Sequence, residues 1–364
     1  MNRRQFVGGS SAMALAVAAG LSRHTTLAQA AYTSVDLGLP DGYDSVTPIA
    51  LNNNGVAVVS AAAGDKHAIF IVQDGAFTQL GEKDEVAYAT CIDDENNAGG
   101  WIEGASDGSS PARDVPIVLT TKGQAEMPGE QLDGRVFALQ QGGTAIGEAA
   151  IDPKLADRKA VIWAKQEVSE LKGIPKDAAS AATDINGLGQ ITGWVTKDGG
   201  KMAVLLSLDA NPVELGVIGG KQSEAVAISE HGLVVGNSTT SDEQTELFGN
   251  GITAFSWIDG TLTPLQTLDG QAWSMAADVN TYGLVAGTIG LNTPATATPA
   301  AASAASIAVV WAPDALLDLN QTSQGIEGLT LTTAVSINEL GQILCAGIDA
   351  GGASHAVVLS IMGN

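Results

Sequence analysis

Two aspartates stand where the equivalent positions of the chain carry other, mostly small, residues. Asp184 and Asp278 each lie two residues before an asparagine, in Asp184-Ile185-Asn186 and Asp278-Val279-Asn280. The matching places elsewhere hold Ala50, Cys91, Ala138, Ala227 and Ser336. A pair of carboxylates set among small side chains is raw material for general acid/base catalysis, as in glycoside cleavage, or for a metal site. The same carboxylates can instead accept hydrogen bonds from buried backbone N–H groups and fix the register of neighbouring units, since buried polar groups find partners. Other acids, Asp242, Glu243 and Glu246, fall in the insertion 237–251 and offer oxygen ligands of the kind calcium takes, without the spacing of an EF-hand. As an ordinary loop they would simply be solvated. Trp273 and Tyr43 are candidates for stacking on a sugar or a partner, or for anchoring their own loops. His67 and His355 occupy equivalent places, which argues for a structural role, and His231 lies in a tight turn. No CxxC, no HExxH and no Ser/His/Asp arrangement stands out, so no cofactor is expected and an enzyme is the less favoured reading.

The elements that position these residues recur. An apolar residue, a polar turn-former, two intervening residues and a glycine-like residue appear seven times. Examples are Leu51-Asn52-Asn53-Asn54-Gly55, Ile185-Asn186-Gly187-Leu188-Gly189, Val279-Asn280-Thr281-Tyr282-Gly283 and Ile337-Asn338-Glu339-Leu340-Gly341. Two versions are degenerate: Asn96 replaces the glycine in one, and Gln140 replaces the asparagine in another. A period of roughly 40–50 residues is that of propeller blades. Within a unit, a strand of alternating small and larger apolar residues leads into the turn, where Asn, Asp or Ser accepts a local hydrogen bond and Gly tolerates positive φ. A second strand follows, then a variable loop, a third strand, an Asp-Gly-like turn and a fourth strand. The last unit stops after its third strand, whereas Tyr32-Thr33-Ser34-Val35-Asp36-Leu37-Gly38 matches a fourth. One end of the chain should therefore complete the blade that the other leaves open, removing exposed sheet edges. The expected fold is all-β: a seven-bladed propeller of four-stranded blades over residues 31–364.

His67-Ala68-Ile69, His355-Ala356-Val357, Ala254-Phe255-Ser256-Trp257, Asp36-Leu37-Gly38 and Ile185-Asn186-Gly187-Leu188-Gly189-Gln190-Ile191-Thr192-Gly193 resemble the motif fragments of the extracellular HAF-repeat family. That resemblance implies an exported, propeller-like repeat protein. It implies no catalytic residue set.

Residues 1–30 read as a twin-arginine signal peptide. Arg3-Arg4-Gln5-Phe6-Val7 precedes an Ala/Gly-rich apolar stretch, and Ala28-Gln29-Ala30 offers a small-x-small cleavage site. The stretch is too short to span a bilayer well. A periplasmic, cell-wall-associated or extracellular location follows as an expectation. The net charge of −23 repels nucleic acid and anionic membranes and favours solubility. Cys91 and Cys345 sit in non-neighbouring units, so no disulfide is expected between them, given the required separation of about 7 Å. Alternating strand direction puts the tight turns on one face and the variable loops on the other, where scaffolds usually carry recognition. The favoured function is a monomeric, non-catalytic module binding an extracellular protein or glycan with that face, through the loops of units five and six. The rival is a carbohydrate-active hydrolase or lyase with acids at the channel.

Overall fold

The computed structural model describes residues 31–81, 87–104, 113–129, 132–151, 157–242, 247, 251–291 and 306–362. They form seven sheets arranged as a seven-bladed β-propeller; six are four-stranded, antiparallel and in simple sequence order, and the seventh has five strands drawn from both ends of the described chain. The inner strands of blades 1 to 7 are Ser45–Leu51, Ala87–Ile92, Asp133–Gln140, Ser180–Ile185, Ser223–Ile228, Trp273–Val279 and Leu329–Ile337. Each neighbours the next, and the seventh returns to the first.

Every inner strand carries a register shift just before the position shared by Asp184 and Asp278, as between Ala182 and Asp184 and between Ala276 and Asp278. Such a bulge bends the strand and re-aims the residue after it. It also explains a repeated glycine in the second strand. A Cβ on Gly193 would collide with the Ala181 carbonyl oxygen, and one on Gly287 with that of Met275. Glycine is needed there for close backbone approach. The first turn is equally constrained. Gly189 and Gly283 have φ of +75°, and Asn96 reaches +66° in their place, a conformation that asparagine tolerates.

Apolar clusters lie between blades rather than within one compact centre. Ile69 and Ile71 of blade 1 pack with Ile117 and Leu119 of blade 2; Ile146 and Ile162 of blade 3 pack with Val204 and Leu206 of blade 4. The turn asparagines add polar staples. Asn52 Nδ2 donates to the Asp93 carbonyl at 2.9 Å, Asn186 Nδ2 to Ser229 at 3.0 Å, Asn280 Nδ2 to Asn338 at 3.1 Å and Asn338 Nδ2 to Asn52 at 2.9 Å. Gln140, the degenerate member, still reaches the Asn186 carbonyl at 2.9 Å. The residue after the turn-former joins in: Glu230 accepts from the Gly187 N–H and Glu339 from the Thr281 N–H. The turns of neighbouring blades are thus tied to one another.

Blade 7 is closed by the chain's N-terminal segment. Tyr32–Asp36 pairs antiparallel with Ser354–Ile361, placing Val35 opposite Val358. The blade also has a fifth strand that the repeat pattern does not contain. After one helical turn, Leu319–Thr322, the pair Ser323–Gln324 runs parallel to Tyr32–Thr33, so the closing strand is held on both edges. His355 Nδ1 meets Asp36 Oδ2 at 2.7 Å across the same seam. Elsewhere the outer strand of blade 4 shrinks to Val213–Glu214. The variable face is less uniform than expected, because blades 1 and 4 close there with tight hairpins at 63–66 and 197–200. Both cysteines are free. Among the described residues no helix is long and apolar enough to cross a membrane.

Candidate functional site

The bulges direct Asp184 and Asp278 toward the next blade. Asp184 accepts the Ile185 N–H through Oδ1 and, in blade 5, the Ile228 N–H through Oδ2, both at 2.8 Å. Asp278 accepts the Val279 N–H at 2.7 Å through Oδ1. Its Oδ2 receives the Ile337 N–H and the Ser336 hydroxyl of blade 7, each at 2.9 Å. Ser336 in turn accepts the Leu51 N–H of blade 1 at 3.2 Å. Three members of one column therefore act alike, each satisfying a main-chain donor in the following blade.

Burial is the main reason both acids hold protons more tightly than usual, Asp184 up to about 7 and Asp278 up to about 6. The backbone donors pull the other way, and the charge of Asp278 adds to the rise at Asp184. A raised pKa suits a general acid. The geometry does not reserve either group for that work, since all four carboxyl oxygens already accept from protein donors.

The remaining candidates separate. Trp273 opens the inner strand of blade 6 instead of lying in a loop; it is 8 % exposed and its indole N–H donates to the Leu291 carbonyl at 2.9 Å. It anchors the connection that follows the second strand. Tyr43 is half-buried beside a groove that Leu39, Lys66, Phe70 and Phe77 also line. Its ring meets Phe70 edge-on at 5.2 Å and carries Lys66 Nζ at 3.9 Å. Asp242 pairs with Lys221 at 3.2 Å between exposed side chains, a contact of small energetic worth. Glu243 and Glu246 lie outside the described residues. Among the described residues no group of three or more His, Cys, Asp or Glu is placed to hold a metal ion.

A different set emerges on the variable-loop face of blades 1 to 4. Tyr88 stacks on Trp101 with centroids 5.1 Å apart, and Arg135 of blade 3 lies over the Trp101 ring at 4.7 Å. His67 of blade 1 flanks Tyr88 at 5.6 Å. In blade 4, Lys201 Nζ sits over Trp194 at 4.5 Å. Together with Lys66 on Tyr43, three basic side chains rest on half-buried aromatic rings at this face, each a cation–π contact. Sequence spacing marks Trp101 and Trp194 as packing residues, and their shared place at this end of the second strand is the available signal. His67 also forms a 2.7 Å contact through Nε2 with Ser60 Oγ. Burial lowers its pKa, but Nδ1 is buried without a partner, so the third, orienting group of a triad is missing. Gly104-Ala105-Ser106-Asp107-Gly108 has G-x-S-x-G spacing. The flanking strands, Ala98–Glu103 and Asp114–Thr120, pair antiparallel; residues 105–112, which hold its serine, are outside the described set.

No family model matches the chain, and no curated protein matches it. Solved structures do. A streptogramin B lyase structure aligns over 91% of this chain and 98% of that one, with TM-score 0.53 and 11% identity. The β-propeller domain of the Trilobed protease from Pyrococcus furiosus aligns over 89% and 94%, with TM-score 0.52 and 9% identity. That domain is described as having an open velcro topology, whereas here the N-terminal strand completes the last blade. At such identities the likeness carries the fold alone.

Proposed function

We propose that the chain is an exported module that binds its partner without transforming it, on the face opposite the tight first turns. The observation that carries this reading is the set of aromatic–cation pairs there, Tyr43 with Lys66, Trp101 with Arg135 and Trp194 with Lys201. Partly exposed rings supply rigid contact area at low entropic cost, and a cation beside each adds a directional polar contact. The partner is a glycan or protein surface outside the cytoplasm. The location rests on Arg3-Arg4 and the Ala28-Gln29-Ala30 site, together with the resemblance to exported HAF-repeat proteins. The hydrolase or lyase reading draws on the raised pKa values of Asp184 and Asp278, but it must free carboxylates that are already engaged by backbone donors.

A thermal-shift screen of residues 31–364 against soluble glycans and divalent cations, with and without chelator, tests the proposal. The expected result is a ligand that raises Tm by a few degrees in the wild type and fails to do so in Trp101→Ala. New chain ends released from a polysaccharide, and abolished by Asp184→Ala, would favour the hydrolase or lyase instead.

A further inference from the structure

The tight-turn face carries an apolar arc that plays no part in the function proposed above. The second intervening position of the first turn holds Leu188 in blade 4, His231 in blade 5, Tyr282 in blade 6 and Leu340 in blade 7. Leu188 is 74% exposed, Leu340 58% and Tyr282 46%, among the most exposed large apolar side chains of the described residues. The turns that hold them are adjacent and stapled together: Asn186 reaches Ser229, His231 Nδ1 contacts the Thr281 carbonyl at 3.3 Å, and Asn280 reaches Asn338. Met362, 39% exposed, extends the arc, since the preceding residue, Ile361, packs against the Leu340 turn. In blades 1 to 3 the same position is Asn54, Glu95 and Gly142. Single exposed leucines need no explanation, but several large apolar side chains exposed on neighbouring turns, interrupted only by His231 and rimmed by polar groups, mark an interaction site.

Charge decides what can occupy it. The first turns contain Asp93, Asp94, Glu95, Glu230 and Glu339 and no lysine or arginine. Asp94, Glu230 and Glu339 are locked in place by N–H donors of the preceding blade. Two copies of this face would set acid against acid, and an anionic bilayer would be repelled in the same way. We infer that this arc docks a cationic amphipathic segment of another protein, its apolar side chains on Leu188, Tyr282 and Leu340 and its basic ones on Glu230, Glu339 and the acids of blade 2. The site stands independently of the variable-face reading.

The test uses the protein of residues 31–364 and a fluorescent synthetic peptide that alternates leucine and lysine, with a peptide in which serine replaces every leucine as control. Binding is read by anisotropy at near-physiological salt, where charge alone is partly screened. The leucine peptide should bind the wild type about tenfold more tightly than the serine peptide, a modest margin for burying several leucine side chains. The triple variant Leu188→Ser, Tyr282→Ser, Leu340→Ser should lose that margin while keeping its β-sheet circular dichroism, and Trp101→Ala should keep it. Equal affinity for both peptides, or a margin that survives in the triple variant, overturns the inference. So does sedimentation of the wild type as a dimer that the triple variant dissolves, which would make a second copy the occupant.

Discussion

Arg158 draws carboxylates from three strands onto one side chain. It lies 2.9 Å from Asp114, 2.7 Å from Asp133 and 3.0 Å from Glu148, and Arg135 adds a second contact to Asp114 at 2.6 Å. Burial alone would lower its pKa, but the hydrogen bonds to these acids more than reverse that. Its neighbour Lys159 is almost wholly buried, with Nζ donating to the carbonyls of Pro175, Lys176 and Ala178. Removing the guanidinium would leave three partly buried acids facing one another. Arg158→Leu should cost about 2–4 kcal/mol, somewhat less than breaking a fully buried ion pair because the groups are partly exposed and Arg135 still faces Asp114 and Glu148, read as a lower urea midpoint at unchanged m-value. At this scale the sequence is informative about type and silent about partners. Asp184 and Asp278 are visible as acids in a largely small-residue column. Their donors are 44 and 59 residues downstream, and only the closed ring brings them near.

Turns and strands show the opposite balance. The repeat spells out the four strands per blade, the tight first turn and the closure of blade 7, because hydrophobic alternation and turn chemistry are local. What it hides is every contact made across blades. The turn asparagine reads as a turn-former only, yet Asn338 does two jobs. Its Oδ1 accepts from the Leu340 and Gln342 N–H groups, and its Nδ2 donates to the Asn52 carbonyl of blade 1. Asp93 does the first job alone in blade 2, accepting from Glu95 and Asn97. With its carboxyl neutral, Asn338→Asp should keep the turn and cost about 1–2 kcal/mol for the disturbed Nδ2 bonds to the Asn52 carbonyl and Gln342 Oε1, whereas Asn338→Ala, which also gives up both turn bonds, should cost roughly twice that. Chemical denaturation of the two variants separates the terms. The strand Ser323–Gln324 is invisible in the sequence because two residues leave no periodicity to read. Trp273 reads as a loop residue because the strand begins on it, and strand ends are set by partners such as Gly290.

At the scale of the whole molecule, the N-terminal strand gives the ring its seam, and the axis is lined by groups that join blade to blade. That arrangement presents two faces, one edged by loops and aromatic–cation pairs, the other by stapled turns. The acids near the axis tie blade to blade through main-chain donors; on the proposed binding function that is their whole role, and the proposal stands or falls on that assignment. Their pKa values in the folded protein, about 7 for Asp184 and about 6 for Asp278, lie above the ordinary 3.8. Such groups favour the folded state fully below about pH 4 and lose that contribution as pH rises through about 6 to 7. Denaturant unfolding from about pH 4 to 8 distinguishes the roles, comparing the wild type with the variant Asp184→Ala, Asp278→Ala, alanine being native at this position in blades 1, 3 and 5. The variant should fold, be least stable relative to the wild type at the acid end, and converge toward it above pH 7. Equal stability at every pH, together with loss of a binding or cleaving activity, would show instead that these acids serve a site.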